Sequence, residues 1–152
     1  RGERERYHAF LAKTPAEEQA AWNQFADLMR AEPDLPVYHY GWYEVEEIIR
    51  FCRRYEEAES FQAMMRMRLQ DLLGILRPSV IFPLSFYSLK DIGAYIGFHW
   101  RSAEASGATS VLWYEDYLAK GEQEILDRIV AYNEDDVQAT YALAKWLERA
   151  VV

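Results

Sequence analysis

Apolar positions recur at helical spacing along most of the chain. Ala21, Trp22, Phe25, Leu28 and Met29 share one face of a segment opened by Thr14-Pro15-Ala16-Glu17, a capping box with proline at the first helical position. That helix should end near Glu32-Pro33. The run Leu35 to Tyr40, set between Pro33 and Gly41, is β-prone and is the only good strand in the pattern. From Glu44 to about Tyr55, Val45, Ile48, Ile49 and Cys52 make a compact stripe that predicts a second helix, with Arg50, Arg53 and Arg54 largely away from it. A third helix is expected from Ser60 to Leu76 on Phe61, Met65, Leu69, Leu72, Leu73 and Leu76, with Arg66 and Arg68 near its outer side and Arg77-Pro78 as its stop.

Ser79 to Tyr87 is apolar but carries Pro83 in its middle, which predicts an extended connection covering the core. Ser88-Leu89-Lys90-Asp91 repeats the capping-box grammar and opens a short helix closing at Gly97. Arg101 to Ser110 reads as a polar loop, Val111 to Ala119 as a helix ended by Gly121. Glu122 to about Arg149 reads as a long last helix with Ile125, Ile129, Tyr132, Asp136, Leu143 and Leu147 inside. About six helices therefore accompany one or two strands. A lone strand cannot satisfy its backbone groups, so either Pro36 to Tyr40 is not a strand or its sheet partners lie outside these residues.

Composition narrows the class. With 152 residues, 51% of them apolar, the chain fits one domain with a real core, which excludes collagenous, repetitive and disordered readings. A net charge of −8 argues against a general electrostatic grip on phosphate backbones or anionic membranes, and leaves room for a specific nucleic-acid site built around metal ions. The single Cys52 excludes an internal disulfide and a Cys-cluster zinc site, and His8, His39 and His99 are too scattered for a His-rich centre. No apolar run reaches the roughly 18 residues needed to span a bilayer, and the charged start lacks the apolar core of a signal peptide. These features lead us to expect a soluble protein of the reducing cytoplasm.

Two places carry candidate chemistry. In Tyr132-Asn133-Glu134-Asp135-Asp136, the four-residue step puts a phenol and a carboxylate on one helix face, one turn apart. A solvated acidic patch beside a packed tyrosine is the commoner meaning of such a segment. Here Asp136 falls on the stripe of Ile129 and Leu143, where a carboxylate is unwelcome unless paired or ligated. In His39-Tyr40-Gly41-Trp42-Tyr43-Glu44, a strand passes through glycine and sets Glu44 in the first turn of the next helix. A structural cap is the plainer role there, yet such strand ends also mount active groups in α/β enzymes. His39 is expected at a strand end or in the core, Asp71 on a helix surface, and Met64, Met65 and Met67 as core filler. The five tryptophans (22, 42, 100, 113 and 146) are expected in the core or at an interface.

In this order, Tyr38-His39-Tyr40-Gly41 with Glu44, Tyr87-Ser88-Leu89-Lys90, and Tyr132-Asn133-Glu134-Asp135-Asp136 resemble the ribonuclease H-like 3′–5′ exonucleases of the DEDD type with tyrosine in the third motif. They are most similar to the C-terminal ribonuclease H-like domain of putative RecB-like nucleases, from about Thr14 onward.

The resemblance implies an α/β, ribonuclease H-like fold, of which residues 1–152 would form a single partial domain: a helix-rich C-terminal portion lacking the first three sheet strands. It implies two divalent ions, Mg²⁺ or Mn²⁺, with Asp136 as a metal ligand and Tyr132 as the catalytic tyrosine that orients the attacking water. Glu44 stands where the family has its second-motif aspartate, one methylene longer in reach. The first motif, Asp-x-Glu on an opening strand, has no match: Glu3, Glu5, Glu17 and Glu18 lack an Asp two positions earlier. The function implied is hydrolysis of DNA or RNA phosphodiesters in the full-length protein, beside an upstream nuclease or helicase domain, with these 152 residues inactive alone. Between Arg50 and Lys90, seven Lys and Arg stand against four Asp and Glu, so the rest of the chain sums to −11. Such cations are most often a solvated face, but Arg50, Arg53, Arg54 or Lys90 could steer a strand. The alternative from the same residues is a degenerate nuclease relative that serves as a nucleic-acid or protein interaction module.

Overall fold

The computed structural model describes residues 6–102 and 106–150. A single 3₁₀ turn, Pro15–Glu17, leads into α1 (Glu18–Ala31). The order continues β1 (Val37–His39), α2 (Tyr43–Arg54), α3 (Glu59–Arg68), β2 (Leu69–Asp71), α4 (Leu72–Ser79), α5 (Leu89–Tyr95), α6 (Gly107–Lys120) and α7 (Gln123–Ala150). The result is a mixed, helix-rich α/β architecture with a two-stranded parallel sheet. Two compact units divide the chain, one formed by Arg1–Phe25 and Trp100–Asp136, the other by Ala26–His99 and Val137–Val152.

The second of these units carries the sheet. Val37 pairs with Leu69, Tyr38 with Gln70 and His39 with Asp71. The expected strand is therefore present, and its partner is one the sequence pattern hid. The predicted third helix, Ser60 to Leu76, is two helices interrupted by β2. Leu69, Leu72, Leu73 and Leu76 continue a helical stripe, but pairing with β1 draws Leu69–Asp71 into extended geometry, and three residues are too few to show a period of two.

The core of this unit gathers Leu72 and Leu76 from α4, Phe82 from the connection, Ile92 from α5, and Leu143, Ala144 and Leu147 from α7. Phe82 is its aromatic hub, with ring centroids 5.0 Å from Tyr95, 5.6 Å from Trp146 and 5.7 Å from Tyr87. The extended connection thus covers the core through Phe82, while its Ile81 and Phe86 are exposed. Ser88 caps α5 as expected, its Oγ accepting the Asp91 N–H at 3.1 Å, and Gly97 follows the helix with φ of 91°.

Three side chains here depart from expectation. Arg68 is buried rather than outward, its Nε donating to Leu35 O and its Nη1 to Met29 O, both at 2.7 Å. Asp71 lies at a strand end instead of on a helix surface. Of the methionines expected as core filler, Met65 is buried and Met67 is 82% exposed.

The other unit is helical. Trp22 packs on Phe25 at 5.3 Å and Phe25 meets Phe10 edge-on at 5.8 Å, with Ile125 and Leu126 of α7 also buried. The capping box at Thr14 is altered: Thr14 makes no side-chain cap bond, and Glu17 accepts instead from the Lys13 N–H at 3.0 Å, one residue earlier than the pattern predicts. The polar loop expected from Arg101 to Ser110 is shorter, because Ser106 caps α6 through the Thr109 N–H. Residues 103–105 of that loop, and Glu3 and Glu5, lie outside the described residues. Among the described residues no helix is long and apolar enough to cross a membrane.

Candidate functional site

The segment Tyr132 to Asp136 lies within α7, and its polar groups are met by Tyr7 and by the consecutive Trp100 and Arg101. Tyr7 Oη donates to Asn133 Oδ1 at 3.1 Å. Arg101 Nη2 donates to Glu134 Oε2 at 2.7 Å and to Ala131 O at 2.8 Å, while its Nε reaches Asp135 Oδ1 at 2.7 Å and its backbone N–H reaches Asp135 Oδ2 at 2.9 Å. Trp100 Nε1 donates to Asp136 Oδ1 at 2.8 Å. Tyr132 also hydrogen-bonds Asp136, one turn along the helix. Burial, then that bond and the Asp136 charge, push the phenol well above its ordinary range.

These contacts correct the sequence reading in one respect. Asp135 is the buried carboxylate of the segment, at 7% exposure, and Asp136 is half-buried. The two are held by chemically different donors. Arg101 supplies Asp135 and Glu134 with a positive charge, and the Trp100 indole and Tyr132 phenol supply Asp136 with neutral N–H and O–H dipoles.

Trp100 and Arg101 were not singled out from sequence. They lie 36 and 34 residues from Asp136 and Asp135, too far for any local pattern, and the only trace was a Trp-Arg pair at the mouth of a polar loop.

Glu44 belongs to the other unit, where the residues around it are built by the sheet. Gly41 follows β1 with φ of 85°, a conformation that favours glycine. Its N–H donates to Asp71 Oδ1 at 2.8 Å and its carbonyl accepts from His39 Nδ1 at 2.7 Å, which fixes that ring nitrogen as the protonated one. The turn delivers the chain into α2, with Glu44 exposed in its first turn near the positive helix end. His39 is buried at the strand end, as expected. Trp42, expected in a core or interface, is 67% exposed. The two resembling elements in this unit are joined directly: Tyr40 Oη donates to Tyr87 O at 2.7 Å, next to the Ser88 cap that begins the helix of Lys90.

Arg50, Arg53 and Arg54 are exposed in the second half of α2, and Lys90 is half-buried in the first turn of α5. Arg50 is ion-paired with Glu47 and lies over the Phe51 ring at 4.8 Å; Arg54 lies over Tyr55 at 5.8 Å. Among the described residues no three His, Cys, Asp or Glu side chains gather into a metal-holding group.

A parallel sheet fed by helical crossovers makes this an α/β protein, with a Tyr–Asp pair on its last helix. The family model described as the RNase_H superfamily matches residues 1–148, and the chain belongs to that superfamily. No similar curated protein and no similar solved structure was found. Membership points to nuclease-type chemistry on nucleic acid, for which this superfamily generally uses divalent metals.

Proposed function

We propose that this chain takes part in metal-dependent hydrolysis of nucleic-acid phosphodiesters, of the 3′–5′ exonuclease-like kind, as part of a RecB-like nuclease. The supporting observation is the Tyr132–Asp136 pair on α7, hydrogen-bonded to each other and anchored by Trp100.

In this reading Asp136 is one ligand of a two-ion site, and Glu44 stands as the second-motif acid. The chemistry supplied there by bound Mg²⁺ or Mn²⁺ is activation of water and neutralisation of the leaving oxygen. Tyr132, its one O–H donated to Asp136, orients the water that attacks phosphorus through the lone pairs of its phenol oxygen. Arg53, Arg54, Arg50 and Lys90 steer the strand toward the site.

Asp136→Asn tests this in the full-length protein. It removes the ligand charge and keeps the shape, and it should lower Mn²⁺-dependent cleavage of single-stranded DNA or RNA by at least a hundredfold. Normal activity in that variant would exclude the assignment.

One observation favours a second reading: Arg101 neutralises Glu134 and Asp135, and no three-ligand group exists among the described residues. On that reading the domain is a degenerate nuclease fold that binds nucleic acid or protein, and it shows metal-independent binding with no cleavage under any divalent ion.

A further inference from the structure

The C-terminal half of α2 gathers flat side chains and cations. Residues 50–55 read Arg-Phe-Cys-Arg-Arg-Tyr, three positive charges and two rings with no acid among them. Cys52 is buried, and with Val45, Ile48 and Ile49 it faces a small cavity also lined by Met65 of α3 and Leu69 of β2. That seam fixes the rotation of the helix. Arg50 and Arg54, each two positions from Cys52, are carried about 200° round to the outer surface, while Phe51 and Tyr55, four apart, share one flank. The two rings lie 6.0 Å apart and within 10° of parallel. The Arg50 guanidinium sits 4.8 Å from the Phe51 centroid and that of Arg54 5.8 Å from the Tyr55 centroid. Both arginines are exposed and both rings half-buried, so part of each ring meets solvent.

We infer that this flank of α2 is a subsite for the unpaired bases of a single-stranded nucleic acid, with Phe51 and Tyr55 extending the base stack and Arg50, Arg53 and Arg54 meeting the phosphates beside it. It rests on the functional reading above in one respect, that the ligand is nucleic acid, and it requires no metal ligand. Charge favours this occupant. In a chain of net −8, a run of +3 within six residues attracts an anion, and rings beside it select one that carries flat faces. A duplex keeps those faces inside its own stack, whereas a single strand can splay them onto aromatic rings and guanidinium planes. Arg50 is shared with Glu47, so Arg53 and Arg54 take the larger part of the phosphate contact.

Tyr55→Leu in the full-length protein tests the subsite on a phosphorothioate-linked 20-nucleotide oligothymidylate with Mn²⁺ present. Loss of a stacking ring should weaken binding by about 5- to 100-fold. The slope of log affinity against log salt should stay at its wild-type value, because the ring neutralises no phosphate. Tyr55→Phe keeps the ring and should bind as wild type does. On an abasic strand of the same length, wild type and Tyr55→Leu should bind alike. In wild-type protein, a single 5-iodouracil placed in the strand should photocrosslink to Phe51 or Tyr55, a measurement that needs no variant to fold.

Undiminished affinity in Tyr55→Leu, an equal loss on the abasic strand, a loss in Tyr55→Phe as large as in Tyr55→Leu, or crosslinks confined to other residues would each overturn the inference. So would a wild-type protein that does not bind the single strand. Full activity in Asp136→Asn would instead defeat the metal-ligand assignment alone, since the stacking contacts do not pass through Asp136.

Discussion

Arg68 is buried with its guanidinium donating to two backbone carbonyls, Met29 O in the last turn of α1 and Leu35 O just before β1. A helix C-terminus is the negative end of the macrodipole, so a cation there is favourable as well as hydrogen-bonded. The side chain ties the end of α1 and the approach to β1 to α3. Arg68→Met fills similar space but strands both acceptors, and should destabilise the protein by about 2–3 kcal/mol, read from urea unfolding midpoints. Tyr40 acts at the next joint, where its hydroxyl donates to Tyr87 O; burial pushes the phenol up to about 12, opposed by Arg77 and aided by Asp71 and Asp91. A folded-state pKa above the ordinary value of 10 means the contribution is full below pH 10 and is lost as pH rises toward 12. Wild-type protein should therefore lose stability more steeply than Tyr40→Phe across pH 10 to 12 in denaturant titrations. A parallel fall in both proteins would contradict the assignment. Neither residue was legible as an anchor: Arg68 looked like one more outward arginine, because nothing local announces that two carbonyls 33 and 39 residues away will need donors.

At the scale of elements, the sequence made α1, α2, α5, α6 and α7 readable because each carries a stripe or cap that local physics enforces. Ser88 and Gly121 did so to the residue, as cap and terminator. It concealed β2, whose three residues are extended only because β1 pairs with them. Asp71 is what makes that pairing coincide with a helix start. Its carboxylate accepts the Leu73 N–H at 3.0 Å as the cap of α4 and the Gly41 N–H at 2.8 Å from the turn after β1, and so links the exits of both strands. Asp71→Ala removes both acceptors and should cost about 2–3 kcal/mol, the sum of a lost cap and a stranded amide. Asp71→Asn retains one carbonyl oxygen and should cost about 1 kcal/mol. Equal costs for the two, measured by thermal or urea unfolding, would mean that the side chain acts by packing rather than by accepting these hydrogens. The same contrast explains the site. Tyr132 and Asp136 were found because four residues make one helical turn, whereas the donors that orient and separate the carboxylates come from Trp100 and Arg101, beyond any periodicity.

For the whole molecule, charge decides how nucleic acid can be held. Net −8 leaves little long-range attraction for a polyanion, and the arginine-rich stretch between Arg50 and Lys90 is weaker than its count suggests. Arg68 is internal, and of the exposed arginines of α2, Arg50 is engaged by Glu47 and Arg54 lies over Tyr55. If strands are steered by α2, the double variant Arg53→Gln, Arg54→Gln should flatten the plot of log affinity against log salt by about 0.7 per lost phosphate contact on single strands. Arg50→Gln should flatten it less. Against so acidic a background, two such contacts cannot bring binding to a useful range alone, so affinity for a 20-nucleotide single strand should collapse in EDTA and return with Mn²⁺. This dependence separates the two functional readings, because a metal-dependent nuclease binds its substrate partly through ions held by Asp136, and an interaction module does not. Salt-sensitive binding that survives EDTA, with the same slope in wild type and the double variant, would place the contact surface elsewhere than α2 and count against a role for Asp136 in holding substrate.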